Sequence, residues 1–301
     1  MKAGKNFLKK DKKGKELAKE ETEKDSKIKE TKDTERKTEN TNKKLKVGVF
    51  SFTSCSGCQL IVINARDLFG DVFELVELLH LPLIQENKDK EDTTYDIVFI
   101  EGAVTKEEQM EKLMRLRNKT KYLVAFGTCA TFGGVCSIKD LNTNVKETKA
   151  YKDFSFLDEM DVFGIDKYVK VDYYIRGCPP IKDDFLKLVI SLSQDKIPEK
   201  YDNPVCIECR KNKNPCLLAK KLPCFGPVTY GGCNALCTSK GIACYGCRGP
   251  VSSPNVDRLV KMFKLQGISN NKIKDMFMTF AGTTKGYQDY FSNKDLFQPG
   301  E

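Results

Sequence analysis

Eight cysteines stand between Cys206 and Cys247, and four of them fall in one run, CNALCTSKGIACYGC, from Cys233 to Cys247. Cysteine at this density serves disulfide stapling, metal ligation or thiol redox exchange. The amino end lacks the apolar segment of about 7 to 15 residues that marks a signal peptide, because NFL gives way at once to KKDKK. No apolar run reaches the roughly 18 residues of a membrane span. A cytoplasmic chain is therefore expected. In that reducing compartment thirteen cysteines, an odd total, argue against a disulfide framework and for metal or redox chemistry.

The spacings from Cys206 through Cys209, Cys216, Cys224, Cys233, Cys237, Cys244 and Cys247 are x2, x6, x7, x8, x3, x6 and x2. Eight thiolates divide into two sets of four, fitting two tetrahedral zinc sites or two 4Fe-4S clusters, and spacing does not choose between them. Four more cysteines lie where strands are expected to end. Cys55 and Cys58 form C-x-x-C after the first, Cys129 follows the third in GTCA, and Cys178 follows YYI in RGCPP. A dithiol exchanger needs only the pair and leaves Cys129 and Cys178 unexplained. Cys136 is the odd member, read first as a small buried hydrophobe and second as an alternative ligand. The only histidine, His80, reads as a structural residue in an apolar helix VELLHLPL.

The elements that must position these thiols follow from the apolar pattern. LKVGVFSF (45–52), YDIVFIEG (95–102) and KYLVAFGTCA (121–130) read as buried strands. QLIVINARDLFGDVFELVELLH reads as a helix with a possible break near Gly70, and TKEEQMEKLMRLRNKT as a helix whose Thr105 and Glu108 fit a capping box. IKDDFLKLVISLSQD closes the unit near 195. Strands alternating with helices imply an α/β fold with a mostly parallel sheet, whose carboxyl edge is the usual ligand crevice. Residues 139–170 read as a polar excursion. Residues 201–250, rich in Cys, Gly and Pro, are expected to lack an ordinary apolar core. Two short amphipathic helices follow, NVDRLVKMFKLQG and NNKIKDMFMTFAG.

Residues 1–44 carry 16 Lys or Arg and 10 Asp or Glu with few apolar side chains, so a disordered charged extension is expected there. Most of the formal +9 sits in it, and the interspersed acids, with no Trp, no Tyr and a single Phe, make nucleic-acid binding the weaker reading.

SCSGCQ, EGAV, GTCATFGG, RGCPP, PCFGPVTYGGC and CYGCRGP, taken together and in order, resemble the small subunit of nickel-iron hydrogenases, closest to the cytosolic sulfhydrogenase delta and methanogen F420-non-reducing types. The resemblance spans about 45–285. It implies a flavodoxin-like parallel-sheet domain followed by a small irregular iron-sulfur cluster domain with short helices. The domain boundaries are then 1–44 extension, 45–198 proximal-cluster domain, 199–290 two-cluster relay domain and 291–301 polar tail. The resemblance further implies three 4Fe-4S clusters: proximal on Cys55, Cys58, Cys129 and Cys178, distal on Cys206, Cys209, Cys216 and Cys224, and medial on Cys233, Cys237, Cys244 and Cys247. Periplasmic relatives usually have histidine at the position of Cys206 and lack the cysteine at Cys237, so full thiolate ligation points to the cytosolic branch. Hydrogen activation would belong to a separate nickel-iron large subunit. A flavin-, NAD(P)-, F420- or heterodisulfide reductase-linked subunit would exchange the electrons, since no Gly-rich nucleotide loop is evident here.

Two rival readings are weighed. A complex I-like small subunit shares the first-domain motifs but normally has consecutive cysteines at the first one and a single cluster, unlike CSGC and the second region. A zinc-stapled interaction protein with the basic arm as its contact is the second.

Overall fold

The computed structural model describes residues 44–65, 72–85, 93–141, 160–199 and 201–292. The charged extension, the possible break at Gly70 and most of the 139–170 excursion lie outside them, as do 293–301 of the tail. Residues 45–301 group as one compact unit, apart from 1–44.

Five parallel strands form one sheet in the order β2-β1-β3-β4-β5: β1 (Leu45–Ser51), β2 (Val76–His80), β3 (Tyr95–Glu101), β4 (Thr120–Phe126) and β5 (Tyr173–Ile175). This is the flavodoxin-like order, with its switch point between β1 and β3. The central strands are apolar on both faces. On β3, Ile97 and Phe99 pack to one side, against α1 (Gly57–Asn64) and α6 (Lys182–Ser193), through Val62, Phe185 and Leu188. Val98 and Ile100 pack to the other, against Leu113 and Leu116 of α3 (Glu107–Asn118). Alternate residues of a strand point to opposite faces, so a strand covered on both sides reads as a continuous apolar run.

The register matters more for the site. Ser51 pairs with Glu101, Glu101 with Phe126, and Phe126 with Ile175. Four strands thus reach their carboxyl ends level, in one row. The segments that follow β1, β4 and β5 carry Cys55 and Cys58, Cys129, and Cys178 respectively, with Cys58 and Cys129 on the helices that start there.

Several sequence expectations change here. VELLH is an edge strand, β2, not helix; among the described residues the helical part of the expected stretch is α1 and a short α2 (Val72–Leu75). Its burial does not alternate, and five residues carry too little pattern to separate the two periods. His80 is structural, buried and stacked on Phe50 at 4.3 Å. The third strand ends at Phe126, so Cys129 lies on a short helix, α4 (Thr128–Phe132). The capping box on α3 does not form. Gln109, not Glu108, reaches back to accept from the Thr105 N–H at 2.9 Å, while the Thr105 hydroxyl meets that of Thr53 at 2.7 Å.

Residues 201–250 do contain a core. Val205, Leu217, Phe225 and Val228 are buried together with Val256, Leu259, Phe263, Ile273 and Phe277. Val205 comes from α7 (Val205–Lys211), Val256, Leu259 and Phe263 from α9 (Val256–Leu265), Ile273 and Phe277 from α10 (Asn270–Ala281), and Leu217, Phe225 and Val228 from the turns between α7 and a one-turn α8 (Leu236–Ser239). The two expected amphipathic helices are present. A further helix, α11 (Lys285–Ser292), buries Tyr287 and Phe291 in the same cluster. The cysteine-rich stretch looked coreless because most of its apolar partners follow it in sequence.

Candidate functional site: three sets of thiols

The first set forms at the row of strand ends. Cys55 and Cys58 bracket the start of α1, where Ser56 is left-handed at φ 62. Glu101, the last residue of β3 and 1% exposed, fixes this turn. One carboxylate oxygen accepts the Cys58 N–H at 2.9 Å and the other the Gln59 side-chain amide at 2.8 Å. Cys58 lies within electrostatic reach of Cys55 and Cys178, and Cys129 within reach of Cys58 and Cys178. Gly127 (φ 90) allows this approach, since a Cβ there would collide with the Cys58 sulfur. Cys136 belongs to the neighbourhood as well. It is half-buried, 3.7 Å from the Thr53 carbonyl, and hydrogen-bonded to Cys129.

The second set is Cys206, Cys209, Cys216 and Cys224. Cys206 is in reach of the other three. All four line a cavity of about 300 Å³ walled by Leu217, Val228, Leu259 and Met262. That is some ten times the ~30 Å³ share of one water in the liquid, room for a multi-atom group. Gly226 keeps the floor low, with its missing Cβ 3.2 Å from the Cys206 sulfur.

The third set is Cys233, Cys237, Cys244 and Cys247. Cys247 is in reach of Cys233 and Cys237, and Cys244 of Cys247. Asn234 and Ala235 are both left-handed at φ 51, which turns successive N–H groups inward. Glu208 occupies that nest although it sits inside the C-x-x-C of the second set. It is 9% exposed and accepts from the N–H of Gly232 and, at 3.0 Å, that of Ala235. On the other side Arg248, 4% exposed, donates to the Gly231 carbonyl at 2.7 Å and the Arg176 carbonyl at 2.8 Å, and pairs with Asp184 at 2.8 Å.

Adjacent sets touch. Cys247 is in electrostatic reach of Cys178, and the Cys244 N–H donates to the Cys224 sulfur at 3.4 Å. The Thr128 hydroxyl, beside Cys129, donates to the Cys247 carbonyl at 2.5 Å. The 233–247 set therefore lies between the other two.

Burial raises the thiol pKa of Cys58, Cys178, Cys224, Cys233 and Cys244, and pushes Cys206 and Cys247 up to about 11. Cys129 is raised first by its hydrogen bond to Cys136, which brings Cys136 down to about 7. Thiolates here need a cation to neutralise them. Metal binding must release protons. An all-thiol donor set of four, with backbone N–H groups aimed at sulfur, fits an iron-sulfur cluster.

Cysteines of the three expected sets are neighbours, but among the described residues no three His, Cys, Asp or Glu side chains converge on one metal position. Glu101, Glu208, Arg248 and Thr128 were not among the expected site residues. Glu101 stands in the EGAV motif and Arg248 in CRGP, but their contacts are long-range in the chain and leave no local pattern.

Residues 55–192 match the family model described as NADH ubiquinone oxidoreductase, 20 Kd subunit. That range holds the first set and stops before Cys206. Sulfhydrogenase 2 subunit delta of Pyrococcus furiosus is 35% identical over 239 residues, covering 79% of this chain and 99% of the relative. A subunit of the F420-non-reducing hydrogenase of Methanothermobacter marburgensis is 27% identical over 245 residues, covering 69% and 80%. In fold alone, the chain is similar to an actinobacterial-type NiFe-hydrogenase from Ralstonia eutropha H16, with a TM-score of 0.53 at 16% identity, covering 86% of this chain and 94% of that one. The chain belongs to the nickel-iron hydrogenase small subunits, an electron-transferring iron-sulfur family.

Proposed function

We propose that the chain relays single electrons through three 4Fe-4S clusters between a nickel-iron large subunit and a reductase subunit. Cys55, Cys58, Cys129 and Cys178 would hold the proximal cluster, Cys233, Cys237, Cys244 and Cys247 the medial, and Cys206, Cys209, Cys216 and Cys224 the distal. The observation that supports this reading is the pair of contacts between neighbouring sets, the Thr128 hydroxyl beside Cys129 on the Cys247 carbonyl and the Cys244 N–H on the Cys224 sulfur. The 300 Å³ cavity favours a multi-atom cluster over a single zinc ion.

Bound clusters would each take and release one electron at a time. The residues of this chain set the conditions. Glu101 holds the Cys58 turn, Glu208 and Arg248 place opposite charges beside Cys233, and burial keeps water from the sulfurs of Cys224 and Cys244. A division near 198/199 into a sheet domain and a relay domain suits these roles. The partner subunit would bring the flavin, NAD(P), F420 or heterodisulfide chemistry. Among the described residues no helix is long and apolar enough to cross a membrane, in keeping with a cytoplasmic complex.

Iron analysis of the anaerobically purified protein tests this. The reading expects about twelve iron atoms per chain and a brown sulfur-to-iron absorption. About four iron atoms would overturn the three-cluster assignment in favour of a complex I-like subunit, and a colourless zinc protein would reject the relay.

A further inference from the structure

Residues 209–222, CRKNKNPCLLAKKL, contain Arg210, Lys211, Lys213, Lys220 and Lys221 and no Asp or Glu. They surround Cys209 and Cys216, on the outer side of the set assigned as distal. All five cations are exposed, as is Cys216, and none forms an ion pair among the described residues. Arg258, also exposed, lines the cavity from the facing helix α9.

The neighbouring acid does not neutralise this surface. Glu208 turns inward, buried under the Gly232 and Ala235 N–H groups. Residues 45–301 hold 35 Lys or Arg against 32 Asp or Glu, so these five positive charges exceed the excess of the whole folded part. The rest is balanced or acidic. Among the cations Leu222 is 44% and Ile207 36% exposed, giving the patch an apolar element. The stretch has no aromatic side chain on which a base could stack. A cationic rim with apolar members suits an acidic protein, whose approach such a field steers and orients.

We infer that the surface around Cys209 and Cys216 docks an acidic electron-transfer protein, an inference that rests on the relay reading above. The electron would pass from the distal set to the oxidised centre of that protein, with no bond made or broken.

The test uses the chain assembled with its large subunit. Hydrogen-dependent reduction of a small acidic ferredoxin is compared with that of benzyl viologen, for the wild type and for Lys211→Glu, Lys213→Glu, Lys220→Glu and Lys221→Glu combined. The combined variant should reduce the ferredoxin at least about tenfold more slowly at low salt. Its viologen turnover and iron content should match the wild type. Added salt should slow the wild type toward the variant. A ferredoxin rate within about twofold of the wild type, an equal loss with viologen, or a wild type that prefers basic cytochrome c would each overturn the inference. So would tighter binding of a DNA duplex than of the ferredoxin. Wild-type protein without iron or viologen turnover would overturn the relay itself, and so is distinguishable from a failed docking surface.

Discussion

The Cys244 N–H donates to the Cys224 sulfur at 3.4 Å, although the two cysteines are assigned to different clusters. In the proposed relay Cys224 would have two tasks, ligand to the distal set and acceptor for the medial loop. Cys216, exposed on the far side, has only the first. Replacing Cys216 by Ala should disturb the distal signal alone. Cys224→Ala should also shift the medial one. Electron paramagnetic resonance of the two reduced variants checks this, and identical medial spectra would contradict the shared role.

Glu208 places a buried carboxylate oxygen 3.9 Å from the Cys233 sulfur. A negative charge there disfavours adding an electron nearby. Glu208→Gln should raise the medial midpoint potential by on the order of tens of millivolts. It should also cost about 1–3 kcal/mol, because the replacement amide cannot accept from both the Gly232 and Ala235 N–H groups. Potentiometric titration and thermal melting separate the two effects.

Cys136 contacts Cys129 without being needed to complete a set of four. With Cys129 bound as thiolate, the Cys136 S–H would turn from the Thr53 carbonyl to that sulfur, and a donor to ligand sulfur favours the reduced cluster. Cys136→Ala should leave the iron content unchanged and lower the proximal potential. A loss of about four iron atoms per chain would instead make Cys136 a ligand.

Phe277 packs its ring 4.6 Å from Phe225, 4.9 Å from Tyr287 and 5.2 Å from Phe291. The Phe225 N–H in turn holds the Cys244 carbonyl at 2.8 Å. Phe277→Ala should cost about 3–5 kcal/mol and release medial and distal iron at lower temperature than proximal iron. Calorimetry with iron release measured along the melt would show this order.

The strand ends and the thiols behind them were legible in the sequence because β1, β3 and β4 are apolar on both faces and GTCA and RGCPP punctuate their ends. β2 was not, since VELLH at a sheet edge shows neither alternation nor length. Pairing of the later eight cysteines came from family resemblance, as their spacing permits several divisions. The groups that tune the sulfurs were hidden for another reason. Glu101 acts on Cys58 across 43 residues and Thr128 on Cys247 across 119, distances over which a pattern in the chain carries no information.

Arg248 joins the Gly231 and Arg176 carbonyls and the Asp184 carboxylate through one buried guanidinium. Arg176 directly follows the last sheet strand and Asp184 stands in the first turn of α6, while Gly231 lies in the cysteine-rich turn before Cys233. A rigid planar fork anchored at three points leaves no hinge between proximal and medial thiols. The proposed relay would therefore be a wire of fixed length across this joint, with no switch among the described residues there. Control over when current flows then falls to the reaction at one terminal and the carrier that arrives at the other.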